Sequence, residues 1–205
     1  MKYMWKMRHF SHWFLLLCLL VIVNNTQAQS PQGKYDWLLP DYVKLQFAGG
    51  IGFLSAGVGY TFVHHRIDAT FFYGYVPKGI SIDDLHSVSL QFTAKLIRIR
   101  LSENYQLLPL NFGWFLHHTF GSEYWIKLPS HYPPEYYWWS PGRNAGVFNG
   151  AELKTKWLAS KTPASGIAIY TRLGTRGLYL ASKVGNSSIP ITDIIELGFG
   201  IALYR

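Results

Sequence analysis

Seven charged residues could do chemistry, because each falls on the inward-facing side of an alternating strand pattern. They are four bases and three acids: Lys44, Asp68, Lys95, Glu152, Lys154, Arg172 and Glu196. Charges that leave water must pair, since an unpaired ion in a low dielectric costs several kcal/mol. The set therefore predicts either a network of ion pairs or a path for protons or solutes.

Histidines beyond the first 28 residues are the candidates for metal binding. They occur as two adjacent pairs and two single residues: His64 with His65, His117 with His118, His86 and His131. Neighbouring residues on a strand point to opposite faces, so neither pair can chelate one ion in regular β-structure. The only cysteine, Cys18, lies in a segment that we expect to be removed, which excludes zinc–thiolate sites from the rest. We predict no metal and no cofactor.

Strands are the elements expected to position these side chains. Apolar and polar residues alternate with a period of two in about eight segments that turn residues separate. In the clearest segment, Val88, Leu90 and Phe92 share one face, while Ser89 and Gln91 share the other. The remaining segments lie near 43–48, 54–62, 68–75, 108–117, 147–154, 167–173 and 196–203.

Two details of the alternation make local predictions. The apolar phase changes between Leu96 and Ile97, which predicts a β-bulge or the end of a strand there. In the segment near 108–117, Leu108 and Leu110 are both expected on the apolar face, with Asn111 on the polar face.

Composition indicates how such strands are arranged. Aromatic residues make up 17% of the chain and charged residues only 15%, which favours contact with lipid, yet no stretch is long and apolar enough for a membrane helix. Strands that meet lipid must close on themselves to pair their edges. We therefore predict an all-β fold, a closed antiparallel transmembrane β-barrel of about eight strands. Side chains fill a barrel of that width, so the seven charges predict an ion-paired plug rather than a pore.

The connections between the segments should alternate in length if both termini lie in the periplasm. Short turns are expected at 64–66, 102–104 and 159–165. Longer connections are expected at 77–85, 121–144 and 175–191, while the connection at 49–50 is tight and departs from the trend. Long connections face the cell exterior in this class of barrel.

The N-terminal 28 residues are typical of a secretory signal peptide. Three basic residues precede the apolar run 14–23, and the small residues Thr26 and Ala28 occupy the −3 and −1 positions of a cleavage site. An uncleaved membrane anchor is the alternative. Cleavage would lower the formal charge from +8 to +5. The remaining basic residues are scattered, which argues against a nucleic-acid partner.

Four segments carry a resemblance to known proteins: VGYTF, FFYGYVPKG, DLHSVSLQFTAK and the closing ELGFGIALYR. They resemble the small outer-membrane β-barrel proteins of Gram-negative bacteria, and within them an uncharacterised group of eight-stranded barrels. The resemblance covers the chain after residue 28. It implies the fold and a location in the outer membrane, and it brings no catalytic residues with it.

An acyl hydrolase of lipid A or phospholipid is the alternative function. Outer-membrane lipid A deacylases use a His-x-Ser pair, in which histidine is the base that activates serine. Here Ser87 and Ser89 follow His86, a spacing that places both hydroxyls on the face opposite the imidazole. His-x-Ser does not occur after residue 28, so we predict no catalytic residue.

The segment 121–144 combines aromatic residues with prolines. One interpretation is an aromatic girdle at the lipid headgroups. The other is a stacking surface for glycolipid or a protein partner, with cations near its phosphates. The residues that would form this surface are Lys127, Tyr136, Tyr137, Trp138, Trp139 and Arg143.

The sequence thus predicts three regions: a signal peptide over 1–28, a periplasmic segment over 29–41 and an outer-membrane barrel over 42–205. The expected role is structural, or an interaction through the outer connections. Expected partners are outer-membrane lipid, lipopolysaccharide and the barrel assembly machinery, and the barrel is expected to be a monomer. A soluble secreted barrel with an apolar ligand inside is disfavoured by the polar interior.

Overall fold

The structure, a computed structural model, describes residues 38–121, 124, 140, 142–156 and 165–205. Its strands are β1 (Tyr42–Ala48), β2 (Leu54–Phe62), β3 (Ile67–Val76), β4 (Leu85–Lys95), β5 (Ile99–Arg100), β6 (Tyr105–Phe120), β7 (Arg143–Thr155), β8 (Gly166–Arg176) and β9 (Glu196–Tyr204). Helix α1 spans Gly177–Gly185, and a short 3-10 helix spans Ile191–Asp193. The predicted signal peptide and the predicted turn at 159–165 lie outside the described residues, except for Ser165.

Eight long strands form one closed antiparallel sheet, as the sequence predicts. Each pairs with its neighbour in the chain, β1 pairs with β9, and β4 pairs with β6 to complete the circle. The short strand β5 pairs with β6 beyond the end of β4. Within the described part of the chain, no helix has the length and apolar character needed to cross a membrane.

The connections alternate between the two ends of the barrel. Residues 63–66 and 101–104 form tight turns at one end, which we call the turn end. At the opposite end, the loop end, lie residues 49–53, 77–84 and the connection that contains α1. The helix was not predicted. It lies within the segment 175–191, which was predicted only as a long connection, and it buries no side chain.

Alternation along the strands gives the barrel an apolar outer face and a largely polar interior. On β1, Leu45 points outward and is 53% exposed, whereas Gln46 points inward and is 1% exposed. Inward side chains on the other strands are similarly buried, among them Asp68, Gln91 and Glu152. The side-chain period of a strand is two, so one parity within each strand faces the interior.

The predicted phase change after β4 is the end of that strand. β4 stops at Lys95, and the backbone N–H of Leu96 still donates to the carbonyl of Leu110, 3.2 Å away. The chain then leaves the ladder and rejoins it as β5.

The prediction for Leu108 was wrong. The register of β6 against β7 shifts between Leu108 and Asn111, so Leu108 lies inside at 2% exposure while Leu110 lies outside. Pro109 stands at this point and has no N–H to donate to the ladder. The resulting bulge reverses the parity of the strand, which simple alternation cannot anticipate.

Aromatic rings inside the barrel lie opposite glycines on the neighbouring strand. The cross-strand pairs are Tyr42 with Gly59, Phe72 with Gly57, Phe115 with Gly146, Phe148 with Gly113, and Tyr170 with Gly200. A Cβ atom added at Gly59 would stand 2.3 Å from ring atoms of Tyr42, and one at Gly200 would stand 2.3 Å from the ring of Tyr170. Glycine therefore provides the space in which each ring lies.

Replacing one of these glycines should destabilise the barrel by overpacking. We expect Gly59→Ala to lower the free energy of unfolding by about 1–3 kcal/mol, because the methyl group would displace the Tyr42 ring. Denaturant titration of the folded protein in detergent, followed by tryptophan fluorescence, measures the change. Gly79→Ala is the matched control, since a Cβ there meets no atom within 4 Å. Equal stability of the two variants would contradict the packing account.

Candidate functional site in the barrel interior

Four side chains from four strands form an ion-pair cluster in the turn-end half of the barrel: Asp68, Lys95, Glu152 and Tyr204. The Lys95 Nζ lies 2.9 Å from the Asp68 Oδ2 and 3.9 Å from the Glu152 Oε2. The Tyr204 hydroxyl donates to the Glu152 Oε1 at 2.7 Å, and the Lys95 Nζ donates to that hydroxyl at 3.3 Å. One ammonium group thus compensates two buried carboxylates.

The contact between Lys95 and Asp68 is mainly Coulombic. The two groups are close, but the Asp68 oxygens lack a hydrogen bond of good alignment. Both side chains are almost fully excluded from solvent. The attraction between the charges must therefore offset the desolvation of both ions, which makes the pair sensitive to loss of either partner.

Two further lysines approach this cluster through aromatic rings rather than carboxylates. The Lys44 Nζ lies 4.7 Å from the ring centroid of Tyr42 and 5.1 Å from that of Tyr170. The Lys154 Nζ lies 3.4 Å from the ring centroid of Tyr204. The faces of aromatic rings attract cations, so both ammonium groups gain stabilisation in the interior.

A second charged group lies in the loop-end half. The Arg176 Nε donates to the Glu196 Oε1 at 2.8 Å, and its Nη2 donates to the carbonyl of Gly50 at 2.6 Å. The Arg172 guanidinium lies between the rings of Phe115 and Phe148, with its Cζ 4.5 and 4.8 Å from their centroids. This group is separate from the ion-pair cluster and has its own counterion.

The tight connection at 49–53 folds into the mouth of the barrel. Gly49 and Gly50 have φ of 78° and 75°, a left-handed conformation that glycine adopts without steric cost. Arg172 Nη1 donates to the carbonyl of Gly49, and the Ser87 hydroxyl donates to the carbonyl of Ile51 at 2.6 Å. Ile51 is 1% exposed. The shortest loop-end connection therefore contacts inward side chains at this end of the barrel.

The structure distributes the seven predicted charges over these two groups. Asp68, Lys95 and Glu152 meet directly, with Lys44 and Lys154 beside them. Arg172 and Glu196 belong to the loop-end group.

Two members of these groups were not predicted, because the predicted set contained only charged residues of the alternating segments. Tyr204 falls on the inward parity of β9 but is uncharged, and Arg176 is the last residue of β8, outside the alternating run. Tyr204 could have been found by extending the inward parity to every polar side chain.

Histidine and serine do not come together around residue 86. His86 contacts the Tyr73 hydroxyl through its Nδ1, 2.5 Å away. Ser87 and Ser89 point inward and donate to backbone carbonyls of Ile51 and Leu116. The opposite parity of His86 and the two serines separates the groups that proton transfer would require.

A histidine–hydroxyl pair does occur on β6. The His117 Nε2 lies 3.0 Å from the Thr119 Oγ1. This is the i, i+2 arrangement of the His-x-Ser pair, with threonine in place of serine. The other ring nitrogen, Nδ1, is buried and has no hydrogen-bond partner within the part of the chain that the structure describes. An acid that would orient the imidazole as a base is therefore missing there.

The other histidines occupy turns and rims. His64 and His65 lie in the turn at 63–66, and the His118 Nδ1 contacts the carbonyl of Gly142 at 2.9 Å. His131 lies outside the described residues. Among the residues described, no group of three or more histidine, cysteine, aspartate or glutamate side chains could hold a metal ion.

The expected contact surface for glycolipid or a partner falls mostly outside the description. Lys127, Tyr136, Tyr137, Trp138 and Trp139 are not among the described residues. Arg143 is described, and it is exposed as the first residue of β7.

The carboxylate of Asp84 holds the connection at 77–84, at the loop end of the barrel. Asp84 accepts a hydrogen bond from the Tyr75 hydroxyl at 2.7 Å and another from the backbone N–H of Lys78 at 2.9 Å. These bonds favour the ionised form and hold the pKa of Asp84 below its ordinary value. Their contribution to the folded loop is present above the ordinary carboxyl pKa and is lost as the pH falls through the lowered value.

No family model and no curated protein sequence matches this chain.

Removing the central cation should expose the two carboxylates of the cluster to each other. We expect Lys95→Met to lower the free energy of unfolding by about 3–5 kcal/mol, the usual cost of leaving a buried charge without its partner. Denaturant titration in detergent measures it. Adding Asp68→Asn to Lys95→Met removes one of the two uncompensated carboxylates and should restore part of the loss. A double variant no more stable than Lys95→Met would contradict this pairing.

Proposed function

We propose that this protein is an outer-membrane β-barrel with a structural or surface-interaction role, its interior closed by ion pairs. The observation that carries the proposal is the belt of large apolar side chains on the outside of the closed sheet. The polar interior and the two unequal ends support it.

The apolar belt runs around the whole barrel. Its members share the outward parity of their strands and are all at least one-third exposed: Leu45, Phe47, Val58, Phe71, Leu90, Phe112, Trp114, Leu116, Val147, Ile169, Leu173, Leu197, Phe199 and Ile201. Monomeric soluble proteins rarely expose a contiguous apolar surface of this extent. Lipid acyl chains do, and an apolar band on the outer face is what a barrel in a bilayer needs.

The interior leaves little room for solutes. Halfway along the barrel, the space between Lys44, Phe72, Phe148 and Arg172 amounts to about 30 Å³. That is close to the volume which one water molecule occupies in the liquid. The ion-pair cluster fills the lumen on one side of this space and the Arg176–Glu196 pair on the other. A barrel closed in this way serves as a scaffold rather than a channel.

The orientation follows from the two ends. Long connections of such barrels face the cell exterior, so we place the loop end outside and the turn end in the periplasm, after a signal peptide has been removed. Exposed side chains at the loop end, Arg143 among them, are then available to lipopolysaccharide or a partner. Insertion would require the barrel assembly machinery.

A charge placed in the belt distinguishes a membrane barrel from a water-soluble one. Leu90 is central on β4 and points outward, whereas Ile80 is exposed in the connection at 77–84. In a bilayer, Leu90→Arg should cost about 2–4 kcal/mol and reduce the amount of folded protein in the outer-membrane fraction, while Ile80→Arg should change neither. Membrane fractionation combined with heat-modifiable gel migration reports both quantities.

The opposite outcome is well defined. Recovery of the folded protein in the soluble fraction without detergent, with Leu90→Arg as stable as Ile80→Arg, would refute the proposed location. The two variants carry the same new side chain, so their comparison removes any general effect of added charge.

The closed interior makes a separate prediction in planar lipid bilayers. The native protein should show no single-channel currents. Glu152→Gln should lower the melting temperature, because it weakens the contacts with Lys95 and Tyr204, and it should still conduct no ions. Discrete currents from the native protein would overturn the plug and leave the barrel fold untouched.

A further inference from the structure

A cavity of about 360 Å³ opens at the turn end of the barrel. Residues of β5, β6 and β7 form its walls, and Glu152 and Tyr204 of the ion-pair cluster form part of its inner end. We propose that this cavity binds a small anion that carries at least two phosphate groups. The proposal goes beyond the scaffold role and does not depend on which membrane surrounds the barrel.

Within the part of the chain that the structure describes, four of the cations that line the cavity have no carboxylate partner. They are Arg98, Arg100, Lys154 and Lys156. Every salt bridge within the described residues involves other cations, namely Lys78, Lys95 and Arg176. Their positive charge is therefore available to a ligand.

The carboxylates at the cavity are mostly engaged elsewhere. Glu152 is held by Lys95 and Tyr204. Asp41 accepts from the backbone N–H of Thr61 at 2.6 Å and from the Thr61 hydroxyl at 2.9 Å. Six lysine and arginine side chains line the cavity against the three carboxylate side chains of Asp41, Glu103 and Glu152, so the cavity attracts anions.

Two of the cations are held by the barrel in a fixed position. The Arg98 Nη2 donates to the carbonyl of His65 at 2.9 Å, which directs its guanidinium across the turn at 63–66. The Lys154 ammonium lies over the Tyr204 ring, deeper than the arginines and 3.4 Å from the ring centroid. A ligand that reaches from the rim to Lys154 would meet positive charge along its whole length.

The donor set favours phosphate. Guanidinium groups present a planar fork that matches phosphate oxygens in a bidentate manner, and ammonium groups add point charges. Four cations in one cavity suit a ligand with several negative charges better than a single anion. The volume lies within the range of small-ligand sites. A free diphosphate and a lipid headgroup that carries two phosphates share this chemistry.

Inorganic pyrophosphate is the probe for the site. Isothermal titration of the full-length protein, folded in a neutral detergent, should show one-site binding that weakens as sodium chloride is raised. Lys154→Gln and Arg100→Gln should each raise the dissociation constant about tenfold, the effect of losing one charge-assisted hydrogen bond. Lys183→Gln, in α1 at the loop end, is the control and should bind as the native protein does.

A second experiment, pyrophosphate titration of the protein in lipid nanodiscs, distinguishes a lipid headgroup from a free solute as the natural ligand. Weaker pyrophosphate binding in cardiolipin discs, whose headgroup carries two phosphates, than in phosphatidylglycerol discs of equal surface charge would identify a lipid headgroup as the competing occupant. Equal binding in both would identify a free solute.

Three results would overturn the proposal. One is the absence of pyrophosphate binding at millimolar concentration. Another is equal affinity in Lys154→Gln, Arg100→Gln and Lys183→Gln, once heat-modifiable migration has shown that all three are folded. The third is binding of citrate as tight as that of pyrophosphate, which would exclude a preference for phosphate.

Discussion

An eight-stranded barrel has a fixed and narrow bore, and every inward side chain must fit that bore without leaving a charge unpaired. Lys95 meets this constraint most directly, because its ammonium lies between the carboxylates of Asp68 and Glu152. Three strands are thereby tied together across the lumen, in addition to their backbone ladders. The same constraint holds the other buried cations, Lys44 and Arg172, against aromatic rings.

The bore also sets the size of the side chains that can face each other. A large ring on one strand is matched by glycine on the next, as in Tyr42 with Gly59 and Tyr170 with Gly200. Glycine is usually unfavourable inside a strand because it contributes no side-chain packing. Here the ring of the neighbouring strand supplies that packing, and the missing side chain of glycine leaves the space that the ring occupies. Interior shape and interior charge therefore depend on the same geometric limit.

Period two was sufficient to predict the strands and to place Asp68, Lys95 and Glu152 on inward positions, while the prediction of a closed sheet came from the aromatic-rich composition. It did not show which charges meet, because contacts across the lumen depend on register and on the circular order of strands, neither of which a single strand contains. Leu108 was misplaced since Pro109 produces a bulge that reverses parity. Arg176 and Tyr204 escaped notice for a different reason: one ends its strand and the other is neutral, although both contact buried or partly buried carboxylates.

The inward fold of residues 49–53 places the shortest loop-end connection across the mouth of the barrel, where Arg172 and Arg176 hold it. Both arginines belong to β8, so this anchoring comes from a strand rather than from the longer connections at the same rim. A change in the length or composition of those connections would therefore leave the anchoring of residues 49–53 in place.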